Sequence, residues 1–239
     1  MQSIKIKVGT ERSRRLIKII LVLIAVCIFV FFFIRFVPLS QKNDEAALLK
    51  LVDMSNPLEE NYVPKISKVE GIEVAQSCAE PLAQMLAAAR ADGCEPVLIE
   101  GYLDRKSRQK LYDDAIKALV AEGYSPLEAE LLTQSRMPVP GADEHQLGLT
   151  VDIVDAKHPD KDLSLTDSDT YNWLSEHCWD YGFVPRYPEN KAAITGSQFM
   201  PWHYRYVGLE SAGFMKELEL CLEEYYGWFY SNEVIIVTD

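Results

Sequence analysis

The sequence predicts an α+β domain with a small mixed or antiparallel sheet and helices, preceded by one N-terminal transmembrane helix. Short apolar or alternating strand runs interleave with helical runs, and no regular βαβ rhythm orders them, which argues against a doubly wound sheet. The N-terminal helix rests on a run of 16 residues, Ile19–Ile34, with no polar side chain except the thiol of Cys27. The chain has 239 residues, 48% hydrophobic and 25% charged. That is enough for one domain of ordinary size plus extras, and it excludes disorder throughout.

Residues 1–37 carry Lys5, Lys7, Arg12, Arg14, Arg15, Lys18 and Arg35 against Glu11, a net +6 in a chain of −12 overall. The remainder is therefore at −18, too acidic to suggest a nucleic-acid partner. Leu16, Ile17, Phe36 and Val37 lengthen the apolar run, and Lys18 and Arg35 can snorkel to the interfaces. No A-x-A-like cleavage site follows the run, and Val26 is bulky where a lipoprotein signal wants a small residue. An uncleaved single-pass anchor over 19–37 is the expectation. The positive cluster puts the tail 1–18 in the cytoplasm and the acidic domain outside the cell membrane.

Residues 38–70 read as linker and lead-in: a helical patch, DEAALLKLVD, then SNPLEENYVPKISKVEG. The domain proper is expected over 71–230, with a tail over 231–239. From Val74 to Arg90, Leu82, Met85, Leu86 and Ala89 recur at helical spacing, closing at Gly93. PVLIEGY (96–102) reads as a buried strand. Residues 104–122 form a second amphipathic helix, ended by Gly123. Ser125-Pro126-Leu127-Glu128 is a capping box with proline at the first helical position, and its helix runs to about Arg136. MPVPGADEHQLG is a loop. In LTVDIV (149–154), Leu149, Val151 and Ile153 share one strand face, and Thr150, Asp152 and Val154 the other. Residues 168–181 are helical up to Gly182. In WHYRYV (202–207), Trp202, Tyr204 and Tyr206 oppose His203, Arg205 and Val207. A last helix covers roughly 209–224, and EVIIVT near the C-terminus is a possible edge strand.

Four cysteines lie beyond the apolar run, and no CxxC pair points to a zinc finger or a redox motif. An exported domain can oxidise them, and Cys78–Cys94 with Cys178–Cys221 is the expected pairing. The alternative is four buried free thiols.

The chain has four histidines, 145, 158, 177 and 203. His145 precedes a glycine turn, Asp152 follows on the next strand, and His203 sits on a separate one. Two imidazoles and a carboxylate leave a fourth tetrahedral position open for water, the ligand count of a catalytic zinc site. His158 and His177 read as exposed and solvated.

EHQLGLTVD, then YGFVPRYPENKAAITG, then PWHYRYVG resemble the zinc D-alanyl-D-alanine carboxypeptidases of the VanY type. NPLEENYVP and GCEPVLIEGY resemble the same family's lead-in and first strand, so the likeness spans roughly residues 50–226. It implies that family's α+β fold and zinc held by His145, Asp152 and His203. The implied partner is a peptidoglycan stem peptide ending in D-Ala-D-Ala, and the reaction is release of the terminal D-alanine. Tyr102, Gln146, Trp202 and Tyr204 are candidate substrate contacts.

The sequence departs from the pattern at informative places. The family's glutamate, three residues before the last zinc histidine, is Met200 here. The arginine of its Gly-Tyr-Arg pattern is Leu103. Asp143 replaces a serine and Thr150 an alanine. Losing a positioned general base costs about 10²–10⁴-fold in rate, and losing an oxyanion-stabilising group about 10²–10³-fold. These departures fit a retained metal scaffold with weakened or lost chemistry. Two alternatives remain. One is an active carboxypeptidase using Asp143 or Glu144 as substitute base and Arg105 as substitute cation. The other is a metal-free interaction domain.

Overall fold

The structure is a computed structural model and describes residues 46–228. The basic tail, the apolar segment 19–37 with Cys27, and the EVIIVT strand lie outside the described residues. Among the described residues no helix is long and apolar enough to cross a membrane.

The chain enters through a hairpin, β1 (Ile66–Val69) and β2 (Ile72–Ala75). Its two-residue turn, Glu70-Gly71, has φ of 52° and 87°, the doubly positive pattern that matches strand twist. The sequence reading begins a helix at Val74. The structure gives Val74 and Ala75 to β2 instead, because their backbone pairs with Ser67 and Ile66. The helix α1 then runs Gln76–Ala91.

β3 (Pro96–Glu100) leads to α2 (Arg105–Ala121), whose N-terminus is capped by Asp104 accepting from the Ser107 amide. The Ser125–Glu128 capping box forms as expected and starts α3 (Pro126–Arg136). β4 (Thr150–Asp155) follows, then α4 (Asp169–His177) and a tight turn over 178–181. β5 (Phe183–Pro185), α5 (Ala192–Thr195), β6 (His203–Tyr206) and α6 (Leu209–Glu217) come next. The single helix expected over 209–224 is instead broken: α6 ends at Glu217, Glu219 takes a positive φ of 53°, and the chain is helical again over 222–228. Three-residue β5 is too short to show alternation, so the sequence did not mark it.

β3, β4, β6 and β5 form one antiparallel sheet in that order. The alternation expected on β4 holds, and on β6 it holds from His203 onward; Trp202 precedes the strand and lines the same cleft as His203. Leu149, Val151, Ile153 and Tyr204 pack with Leu82, Met85 and Leu86 of α1 in the main core. Their strand neighbours Asp152, His203 and Arg205 turn to the opposite face, which is therefore polar and yet buried. A second apolar cluster joins Leu49 and Val184 to Met215, Leu222 and Tyr225. Leu49, Val52 and Leu58, which precede the first strand, are all buried.

The expected disulfides are absent: Cys78, Cys94, Cys178 and Cys221 are all free and buried. Two of the thiols have backbone partners. Cys78 Sγ lies 3.2 Å from the Ala75 carbonyl, and Cys94 Sγ lies 3.6 Å from that of Asp169. Burial pushes the Cys78 thiol up to about 12, which starves it of the reactive thiolate. A reductant is therefore expected to leave the thermal midpoint unchanged. Iodoacetamide should label these four only in denaturant. A midpoint lowered by dithiothreitol would contradict the free-thiol arrangement.

Candidate metal centre

The polar face of the sheet is laid out in rows. Asp152 on β4 pairs with Glu100 on β3 and with His203 on β6, so these three side chains stand side by side. One step along, Thr150 pairs with Arg205. Against this face sits the 3₁₀ turn Glu144–Leu147, started by Asp143, whose Oδ1 accepts the His145 amide at 3.1 Å. Gly148 closes the turn at φ 73°, and any side chain there would meet Ala75 of β2. The chain thus has a local reason to present His145 over Asp152.

His145 Nδ1 lies 2.7 Å from the Gly101 carbonyl, which can only accept, so Nδ1 carries the proton. Its Nε2 faces Asp152 Oδ1 at 3.5 Å, and His203 Nδ1 approaches the same oxygen at 2.7 Å. Donor atoms of all three residues lie within 4.8 Å of one another. His203 Nε2 is buried without a hydrogen-bond partner. The ring is held by stacking on Tyr187 at 5.2 Å, which Arg186 covers in turn at 4.6 Å. Burial opposes charge on His145, but Asp152, then Asp143 and Glu100, push it up to about 9. Burial likewise opposes charge on Asp152, and His203 with His145 still holds its carboxyl well below the usual range. Two imidazoles sharing one carboxylate oxygen, with one ring nitrogen proton committed to a carbonyl, form a donor set suited to Zn²⁺.

The triad opens into a cleft of about 330 Å³, the size of a small-ligand pocket. Met200 and Trp202 line it, as do Asp143, Glu144 and Tyr187. The two carboxylates considered as substitute bases are both committed. Asp143 Oδ2 lies 2.5 Å from Arg108. Glu144 lies 2.7 Å from Arg186 and 3.1 Å from Arg205, and accepts from Thr150. Burial resists the charge on Glu144, yet Arg186 and Arg205 outweigh it and bring its carboxyl down to about 2. Arg186 is further tied to Glu223, and Arg205 donates to the carbonyls of Leu48 and Lys50 at 2.8 and 2.9 Å.

Arg105, the substitute cation expected from sequence, points away. It donates to the Leu58 carbonyl and lies beneath Gly141, where a Cβ would come within 2.9 Å of the guanidinium. Arg108, one helical turn on, is the buried arginine in the cleft, joined by Arg136 and Lys161. Sequence reasoning missed it, although a charge at the i−4 position to the buried Tyr112 is a visible signal. It missed Glu100, Lys161 and Tyr187 as well. Glu100 falls inside PVLIEGY, which reads in sequence only as a buried apolar strand.

Of the candidate substrate contacts, Trp202 lines the cleft. Tyr204 is in the main core, and Gln146 Oε1 accepts the Gly141 amide at 2.6 Å. The Tyr102 amide donates to Glu73 of the hairpin. His177 packs on Trp173, and His158 is half-buried beside Asp155 rather than solvated.

The sequence profile of the family described as VanY, D-alanyl-D-alanine carboxypeptidase, matches residues 71–209. A D-alanyl-D-alanine carboxypeptidase of Enterococcus faecalis is 37% identical over 188 residues, covering 78% of this chain and 68% of the relative. Two solved structures are similar at a TM-score of 0.64. One is a mutant of the D,D-pentapeptidase VanY from a VanB-type resistance cassette in complex with Zn(II), 35% identical, with 75% of this chain and 99% of that one covered. The other is VanYB in complex with D-alanine-D-alanine, 36% identical, with 75% and 97% covered.

Proposed function

The chain belongs to the VanY D-alanyl-D-alanine carboxypeptidase family, and from that premise we propose that it holds zinc and binds D-Ala-D-Ala peptide ends with hydrolysis lost or strongly reduced. The observation that carries the reading is Met200 facing the cleft beside a complete His145, Asp152 and His203 triad.

When bound, zinc would polarise a carbonyl and lower the pKa of a water. The remaining work falls to protein groups, and the proton acceptor is what is missing. The Met200 thioether takes no proton. Asp143 is held by Arg108, Glu144 by two arginines, and Glu100 by Lys161 at 2.7 Å. Arg108, Arg136 and Lys161 give the cleft cations suited to an anionic peptide terminus. The ligand class implied is a stem peptide of peptidoglycan.

The test uses the zinc-loaded full chain and an acyl-D-Ala-D-Ala peptide. Binding is expected by calorimetry, with little D-alanine released. Release that is abolished by His203→Ala and indifferent to Met200→Leu would show a working peptidase with another base.

The anchor belongs to the same proposal. Its support is the apolar run 19–37 with basic residues before it. The full chain is expected to stay with membranes through an alkaline carbonate wash, and a protease added outside intact cells should cut the acidic domain. Release by carbonate would overturn the anchor.

A further inference from the structure

We propose that Glu100 is a fourth protein ligand of the zinc, closing the coordination position that a hydrolase must leave open to water. The inference rests on the reading that His145, Asp152 and His203 hold the metal.

The backbone places Glu100 there by an irregularity. Leu98 pairs with Ile153, but Glu100 pairs with Asp152, so β3 carries one extra residue between them. In a regular strand Leu98 and Glu100 would share a face, and that face is the core. The bulge turns Glu100 over, a known way of re-aiming one side chain beside a site. It thereby completes a row of three potential donors across adjacent strands, Glu100, Asp152 and His203.

Glu100 stands just outside the set of donors that lie within 4.8 Å of one another, and a shared lysine links it to that set. Lys161 Nζ lies 2.7 Å from Glu100 Oε2 and 2.7 Å from Asp152 Oδ2, so one cation already serves both. Lys161 comes from the segment after β4, on a flexible stem whose side chain is 40% exposed. It can withdraw to water when a dication takes over the two acids. Two neutral imidazoles and two carboxylates neutralise Zn²⁺, whereas the triad alone leaves one positive charge. Among the cleft carboxylates outside the triad, Asp143 and Glu144 are held by arginines at 2.7 Å or closer, whereas Glu100 is held by a lysine and has no arginine closer than 3.6 Å. An ammonium on a flexible stem is a looser hold than a guanidinium fork.

The full chain loaded with cobalt(II) in place of zinc reports the coordination directly. A closed site predicts that added azide leaves the visible spectrum of the wild type unchanged and shifts that of Glu100→Gln. Zinc affinity, read by chelator competition, should fall about 10-fold or more in Glu100→Gln. Lys161→Met should bind zinc at least as tightly as the wild type. An azide response in the wild type equal to that of Glu100→Gln overturns the proposal. So does a Lys161→Met variant that loses affinity as Glu100→Gln does, since Glu100 would then act only by holding Lys161. The wild-type azide measurement needs no substitution, so it decides even where a variant misfolds. Failure to take up any metal would instead sink the three-ligand reading beneath it.

Discussion

Met200→Glu is expected to raise D-alanine release from an acyl-D-Ala-D-Ala peptide by about 10²–10⁴-fold over the wild type, the usual contribution of a positioned general base. Residue 200 already lines the cleft beside His203, and its amide is held by the Tyr187 carbonyl at 3.2 Å, so the new carboxylate starts from a fixed backbone. The measurement is made in the wild-type and the Glu100→Gln backgrounds. If Glu100 fills the fourth position, the larger gain comes when it is removed. Adding Leu103→Arg should help further, because the Leu103 amide donates to the His145 carbonyl and the side chain begins next to the metal turn. The second gain should fall below the roughly 10²–10³-fold of an isolated oxyanion donor. Arg108 already brings a cation to the same cleft, and effects within one site do not add. A folded, zinc-loaded Met200→Glu protein with no gain in either background would mean that the missing base is not what silences the site.

Glu144→Gln is the second large effect, and it acts on stability. The substitution keeps the shape and removes the charge that Arg186 and Arg205 face. Removing one partner of a buried ion pair costs about 3–5 kcal/mol. For a domain of this size that corresponds to roughly 10 °C or more in thermal midpoint. The pH dependence has a definite sign. Glu144 is ordinarily a group of pKa 4.5 and is lowered to about 2 when folded. Its contribution is complete above 4.5 and is lost as pH falls toward 2, because the unfolded chain takes up the proton first. The wild type should therefore weaken steeply across that window, and Glu144→Gln should weaken less. Equal acid profiles for the two proteins would remove Glu144 from the account.

What was legible in the sequence was what has a period or a spacing. Alternation in LTVDIV and WHYRYV put Asp152 and His203 on one face of their strands, and the structure makes them neighbours. The Ser125 capping box named its own helix start. The β1–β2 hairpin was lost in the lead-in because each strand has only four residues. The bulge in β3 was not legible, since an extra residue leaves the apolar pattern of PVLIE untouched while reversing the side to which Glu100 points. Arg105 and Arg108 differ by helical phase at the first turn of α2. That phase depends on where the Asp104 cap fixes the start. The cysteine pairing failed for another reason: cysteine count and an exported setting allow bridges, but spacing in sequence does not show that all four thiols are buried singly.

The Arg205 guanidinium reaches both Glu144 and the main chain at Leu48 and Lys50, far upstream of the family match. A shortened version begun at residue 71 would strip away both of those carbonyls. It would also leave holes where Leu49, Val52 and Leu58 had packed. The compact unit begins at Ala47, so a shortened version should begin no later than that residue. Cut any later, a failure to bind metal would report the trimming and not the chemistry.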